Sequence, residues 1–293
     1  VSARTQEPIG IAGTGRMAQA LGRLLRERGE PVVAVAGRNP ERTARAAEFI
    51  GGAAAAVGFA ELPVRADRIL IAVSDGAIPA VACALAEAGA NRGIALHTCG
   101  AHGPEILEPL ARAGAACGVL HPLQTIATPE AGVAALPGCA FAVSGDPAAV
   151  AWGEAIAALL EGTALRIAPD HMPLYHAAAV MASNYVTGLL DAAAILMKTA
   201  GIGEQTALGA LGPLVRAGVN NTLALGPEKS LTGPIERGDV ETVRRHLGSL
   251  AAAPPSVSGL YRSAGLHVLE VARRRGLSEA KAREIEELLR EGG

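Results

Sequence analysis

The sequence predicts an α/β domain built on a doubly wound parallel sheet, followed by an all-α domain. Short apolar runs alternate with helical patterns over the first ~160 residues, the signature of strand–helix–strand units. After Pro169 the strand signals stop and only helical patterns remain. The chain has 293 residues, more than one hydrophobic core usually serves, so two domains are expected. The boundary is placed near residue 168, giving segments 1–168 and 169–293.

The elements follow in order. "PIGIAG" (8–13) is a strand, and the helix after it carries Leu21, Leu24 and Leu25 and closes at Gly29. "PVVAVAG" (31–37) is the second strand; Asn39 then caps a helix with Pro40 at its first position. "RILIAVS" (68–74), "GIALHT" (93–98), "CGVLHP" (117–122), "CAFAVSG" (139–145) and "ALRI" (164–167) are further strands, with helices near 76–88, 104–113 and 147–161. "GGAAAA" (51–56) reads only as a small-residue stretch. The second segment predicts helices over 173–199, 204–225 with a break at Gly212-Pro213, 239–250, 256–275 and 278–291. Gly276 stops the fourth and Ser278 is placed to cap the last.

Composition excludes several classes of function. Half of the residues are hydrophobic and 18% are charged, a foldable balance. A net charge of −2 argues against a phosphate-coating surface, so no nucleic-acid partner is expected. Cys83, Cys99, Cys117 and Cys139 lack C-x-x-C spacing, which leaves neither a zinc site nor a redox dithiol and suggests buried free thiols in a reducing cytoplasm. His97 and His102 have no matching ligand cluster, so no metal is expected. The start, "VSARTQEP", shows no apolar leader segment. The greasiest run, 177–197, is interrupted by Ser183, Asn184, Thr187 and Asp191. Each is costly in lipid, so the run is read as a buried helix and no membrane partner is expected.

"GIAGTGRMAQAL" carries G-x-G-x-x-A at Gly13, Gly15 and Ala18. The pattern alone is weak, but it follows a strand, opens a helix and lies in a strand–helix–strand unit of about 30 residues. Gly13 permits the tight turn, Gly15 lets the backbone approach a pyrophosphate, and Ala18 lets helix and strand pack closely. The unpaired N–H groups of the helix start then face the anion. Gly13, Thr14, Gly15, Arg16 and Met17 are the candidate contacts. A carboxylate about 20 residues further on would hold the ribose 2′-hydroxyl of NAD. That position reads Gly37-Arg38-Asn39, with no acid. Arg38 suits a 2′-phosphate and Arg42 adds a second charge, which points to NADP(H), with Asn39 between them. Ser74, Asp75 and Thr98 lie in loops at strand C-terminal ends, where open sheets bind ligands. Each is a candidate for the ribose or nicotinamide, and each has a second reading as a loop polar residue; Asp75 also reads as a helix cap.

With these loops in place, the chain resembles a family of bacterial two-domain proteins with a Rossmann-like NADP-binding domain and a C-terminal domain of unknown function. The stretches "GTGRMAQAL", "HPLQT" (121–125), "YHAAAVMASNY" (175–185) and "GPEKSLTGPIERGD" (226–239) carry the likeness. More distantly it is similar to the superfamily of 6-phosphogluconate dehydrogenase, pyrroline-5-carboxylate reductase and ketopantoate reductase. The resemblance implies a helical second domain of the 6-phosphogluconate dehydrogenase C-terminal type, a homodimer formed through it, and a substrate cleft between domains. One departure stands out. The hydroxyacid dehydrogenases and ketopantoate reductases place a catalytic lysine one turn before an asparagine, and here the residue four before Asn184 is Val180.

On a continuous helix at ~100° per residue, His176, Ser183, Asn184, Thr187, Asp191 and Lys198 share an arc of ~100°. The His176–Ser183–Asn184 end is read as facing the bound cofactor, and Asp191 and Lys198 as solvent-facing. Reduction of C=O or C=N by a nicotinamide needs a donor within hydrogen-bond reach of the oxygen or nitrogen. His121 and His176 are the candidates, with Ser183 and Asn184 to orient the substrate. Gln124, Thr232 and Arg237 are weaker candidates for substrate contact, and Asp239 reads first as a helix cap. The expected function is NADP(H)-dependent reduction of a small 2-oxo acid or imine, ketopantoate-like reduction being its sharpest form. A non-catalytic NADP(H)-binding sensor or scaffold is the alternative.

Overall fold

The strand β1 (Ile9–Ala12) is central to an eight-stranded sheet, in a computed structural model that describes residues 7–291. Most of the N-terminal stretch read above as lacking a leader lies outside those residues. The chain then runs through α1 (Arg16–Glu27), β2 (Val32–Ala36), α2 (Pro40–Ile50), β3 (Ala55–Val57), α3 (Leu62–Arg65), β4 (Arg68–Ile71), α4 (Ile78–Glu87), β5 (Ile94–His97), α5 (Glu108–Ala113), β6 (Ala116–Pro122), α6 (Pro129–Ala135), β7 (Ala140–Gly145), α7 (Pro147–Leu159), β8 (Thr163–Arg166) and α8 (Met172–Ala182). The strand order is β3-β2-β1-β4-β5-β6-β7-β8.

Alternation along the strands builds two cores. Ile9, Ile11, Leu70 and Leu120 point to the face covered by α1 and α7, where Leu21, Leu25, Trp152 and Ile156 meet them. Ile69, Ile71 and Cys117 point to the other face, under Ile78 and Leu85 of α4 and Leu110 of α5. Side chains two apart share a face, so a sheet covered on both sides must be apolar at successive positions. That is why the strands read as continuous apolar runs.

The sheet is mostly parallel, not wholly so as the sequence suggested. β7 pairs with β6 antiparallel, and β8 runs parallel to β7. Residues 123–139 between β6 and β7 carry the seven-residue α6, packed on α1 with Gly132 against Ala20. β3 was also unforeseen; its Ala55, Ala56 and Val57 pair with Ala34, Val35 and Ala36 of β2.

The first compact unit extends through Ser183 and the second begins at Asn184. α8 belongs to the first, through Met172 packed on Val119 and Ala142. The second unit comprises α9 (Asn184–Thr199), α10 (Glu204–Leu225), α11 (Pro227–Ser230), α12 (Pro234–Arg237), α13 (Val240–Ser249), α14 (Pro255–Arg274) and α15 (Glu279–Arg290). Its core is Ile235, Val243, Leu269, Ala272, Ala282, Ile285 and Leu289. Asp239 caps α13, its carboxylate accepting from the N–H and hydroxyl of Thr242. Ser278 stands at the start of α15 without a side-chain cap bond.

Three helix expectations need correction. The run 173–199 is two helices, because Ser183 leaves helical geometry at φ −124°, ψ −71°. It is also largely exposed in this chain, not buried. α10 passes unbroken through Pro213. The proline removes the N–H that would reach the Gly209 carbonyl, but Gly209 is exposed, so water can take the freed acceptor. Among the cysteines, Cys99 and Cys117 are buried, while Cys83 faces outward from α4 and Cys139 is half-buried.

Candidate dinucleotide site and a histidine cluster

The glycine corner between β1 and α1 is shaped by one backbone requirement. Gly13 has φ +135°, and a Cβ there would lie 2.3 Å from the Ala72 carbonyl oxygen. Only glycine meets both demands. Gly15 has nothing within 4 Å of its Cβ position, so its backbone is bare on the open side. The Gln19 carboxamide donates to the Thr14 carbonyl at 2.9 Å and holds the loop. Arg16 donates to the Ala127 carbonyl at 3.0 Å and ties the segment after β6 to the same corner.

These residues open on a cavity of about 900 Å³ lined by Gly13, Thr14, Gly15, Arg16 and Met17. Gly37, Arg38, Asn39 and Arg42 come to it from the end of β2 and the start of α2, and Ser74 and Gln124 from the ends of β4 and β6. No carboxylate lines it. Two helix starts and three arginines therefore line one space, a setting for phosphates. The residues fit NADP(H): a glycine wall for the pyrophosphate and guanidiniums where NAD would require an acid.

Asp75 and Thr98 do not line this cavity. Ser74, not Asp75, occupies the cap position of the short 3₁₀ turn Asp75–Ala77, and no side chain caps it. Thr98 donates its backbone N–H to the Ile71 carbonyl at 3.1 Å. Gln124 is engaged in its own loop, its carbonyl oxygen accepting from the Thr125 N–H at 2.9 Å. The sequence candidates did not include Gly37, Phe59, Ala72, Val73, Ala77, Val81 and Ile126 of the lining. Phe59 had no periodic signal, and apolar liners are indistinguishable from core in a sequence.

His121 lies near the end of β6, three residues before Gln124. Its Nδ1 is 2.9 Å from the Tyr175 hydroxyl, and its ring stands edge-on to Tyr175 and to His176 at 5.6 and 5.9 Å between centroids. Burial, reinforced by the neighbouring His176, pushes His121 down to about 4. Burial pushes Tyr175 up to about 12. At neutral pH both are uncharged. His97, fully buried, contacts the Gly103 carbonyl through Nε2 at 3.0 Å and accepts the Cys99 N–H at Nδ1. Both of its nitrogens are thus used, and its role is structural. Among the described residues no group of three His, Cys, Asp or Glu is placed to hold a metal.

Ser183 ends α8 and Asn184 begins α9, so the arc drawn through His176, Ser183 and Asn184 on one helix does not exist. In the second unit, Thr232 and Arg237 line separate cavities. Thr232 joins His246 and Tyr261 in an apolar one of about 390 Å³, and Arg237 joins Arg275 and Lys281 in a smaller one.

Residues 2–122 match the Rossmann-like domain, and residues 139–268 match a domain of unknown function, DUF2520. The chain joins a Rossmann-like domain to a DUF2520 domain. No curated protein matches this Rossmann-like–DUF2520 chain. Solved structures do. Protein TM1727 from Thermotoga maritima is 23% identical, with a TM-score of 0.71 over 91% of this chain and 98% of that one. A Bacteroides fragilis protein assigned as an NADP oxidoreductase is 22% identical, with a TM-score of 0.68 over 96% and 98%. A reductive aminase from Aspergillus terreus, solved with NADPH and ethyl levulinate, is 19% identical, with a TM-score of 0.64 over 97% and 99%. These likenesses establish the fold: a Rossmann-like sheet followed by a helical region.

Proposed function

We propose that this Rossmann-like–DUF2520 protein is an NADP(H)-dependent oxidoreductase acting on a small 2-oxo acid or imine. The observation that carries the reading is the cavity in which Gly13 and Gly15 present bare backbone beside Arg38 and Arg42, with no acid among its liners. Gly13 to Met17 would hold the pyrophosphate, Arg38 and Arg42 the 2′-phosphate, and Ser74 the ribose side. Bound NADPH supplies a hydride, so that C=O plus H⁺ becomes an alcohol, or C=N plus H⁺ an amine, with NADP⁺ released.

His121 and His176 are the groups of this chain proposed to meet the reacting oxygen or nitrogen. Ketopantoate-like reduction is the narrowest form of the proposal. The likeness to a reductive aminase favours the imine form. A second reading, a non-catalytic NADP(H) sensor, is favoured by Val180, which stands where related reductases carry a catalytic lysine. The proposal includes a cytoplasmic location, which the cysteines without C-x-x-C spacing support, and assembly with a second copy through the helical unit, which the family resemblance implies.

Calorimetric titration with NADPH and NADH, followed by NADPH oxidation across a panel of 2-oxo acids and cyclic imines, tests the proposal. Micromolar NADPH binding with turnover supports it. Tight binding without turnover on any member of the panel selects the sensor, and no saturation at millimolar NADPH ends both readings.

A further inference from the structure

Tyr175 and His121 form a pair that the sequence did not suggest. They come from α8 and β6, and the hydroxyl meets Nδ1 at 2.9 Å. The far nitrogen, Nε2, has no hydrogen-bond partner among the described residues, yet it is not sealed. Among the described residues the Ser144 hydroxyl is the single fully buried side-chain polar atom left without a partner, and His121 is half-buried. Gly100 borders it: a Cβ at that position would lie 2.8 Å from Nε2 of His121 and 2.7 Å from Cδ2 of His176. A side chain there would displace both imidazoles.

We propose that Tyr175 is a positioning residue whose hydroxyl donates to Nδ1 of His121, holding the imidazole proton on Nε2, at the ring edge that lies against Gly100. The inference rests on the oxidoreductase reading for what Nε2 meets there, a substrate carbonyl oxygen or imine nitrogen. It does not rest on that reading for the tautomer. A neutral imidazole carries one N–H and one lone pair. A neutral phenol can donate or accept, but Nδ1 is the one partner the Tyr175 hydroxyl has among the described residues, so its proton goes there and the ring's own N–H is on the other nitrogen. The groups acting on His121 are Tyr175 and His176 from α8, His97 from β5, and Asp75 after β4. Burial, with His176 and His97 acting in the same direction, outweighs the Asp75 carboxylate, and the ring stays uncharged at neutral pH. His121 then stabilises developing negative charge as a hydrogen-bond donor, and the proton of the overall reaction comes from water.

The test is ¹⁵N-edited NMR of the histidine ring nitrogens in the full chain, with His121 assigned by its loss in His121→Asn. The expected result is a protonated Nε2 and a bare Nδ1, unchanged between pH 8 and pH 5. A protonated Nδ1 in the wild type overturns the proposal without any variant. In Tyr175→Phe the two tautomers should mix and the titration should move, with NADPH affinity retained as evidence of folding. Turnover should fall roughly three- to tenfold in kcat with KM little changed, the value of one hydrogen bond. A Tyr175→Phe spectrum identical to wild type also overturns it. If the wild type turns nothing over, the oxidoreductase reading fails on its own, while the tautomer is still decided by the spectra.

Discussion

The side chain of Asn39 accepts a 2.9 Å hydrogen bond from the backbone N–H of Arg42. This bond closes the first turn of α2, and the Thr43 hydroxyl adds a second tie, donating to the Asn39 carbonyl at 2.7 Å. The start of α2 is thereby fixed with Arg38 just before it and Arg42 just inside it, both lining the cavity. A 2′-phosphate there would meet two guanidiniums and a helix start.

Arg38→Asp should therefore weaken NADPH binding by roughly 10- to 100-fold, the worth of one or two charge-assisted hydrogen bonds. NADH should bind the variant as well as or better than it binds the wild type, since the new carboxylate can accept from a ribose hydroxyl. Isothermal titration with both cofactors measures this. Unchanged selectivity would remove Arg38 from the phosphate site.

Gly13→Ala and Gly15→Ala should separate folding from binding. At Gly13 the methyl would collide with the Ala72 carbonyl, and φ +135° disfavours any side chain. We expect a loss of about 1–3 kcal/mol, seen as a lower melting temperature. At Gly15 the methyl meets no protein atom; the melting temperature should hold while NADPH affinity drops at least tenfold. Equal losses of stability in the two variants would contradict the geometry.

The legibility of these parts differs for physical reasons. The glycine corner was readable because its demands are on backbone conformation, and glycine signals those directly. Arg38 was readable because an acid is missing at a known distance from the corner. The reversed β7 was not, because an apolar run carries no direction. The break at Ser183 was hidden, since serine is compatible with a helix interior and with its end. Tyr175 escaped because its partner lies 54 residues away in the sequence.

Stability should fall with acid in a defined window. His121 is held down near 4 by burial, and His97 is lowered for the same first reason. In the unfolded chain each titrates near 6.5. Between these values the unfolded state binds more protons, so stability is complete above pH ~6.5 and is lost as pH falls toward ~4. His121 alone should contribute on the order of 2–3 kcal/mol over that range. Urea unfolding at pH 7.5 and pH 5 measures it, and His121→Asn should flatten the profile. A wild-type midpoint that is the same at both pH values would show that the imidazole is not desolvated.

The helix α10 supplies the last prediction. It exposes Leu208, Val219 and Leu223 within an arc of about 60°, and Leu214 and Leu225 together on the far side. A helix apolar on two sides belongs in an interior, yet Ala207 is its one buried residue. Exposed apolar side chains grouped in this way mark an interaction site, and a second copy of the chain, presenting the same helix, is the proposed partner. The wild type should therefore sediment as a dimer at micromolar concentration. Val219→Lys with Leu223→Lys should dissociate it, because paired ammonium groups would be buried and opposed across a symmetric interface. In a monomer the same exposed substitutions would cost less than about 0.5 kcal/mol each. A dissociated variant with a much lower melting temperature thus fits obligate assembly, whereas a wild type that sediments as a monomer removes the dimer from the proposal.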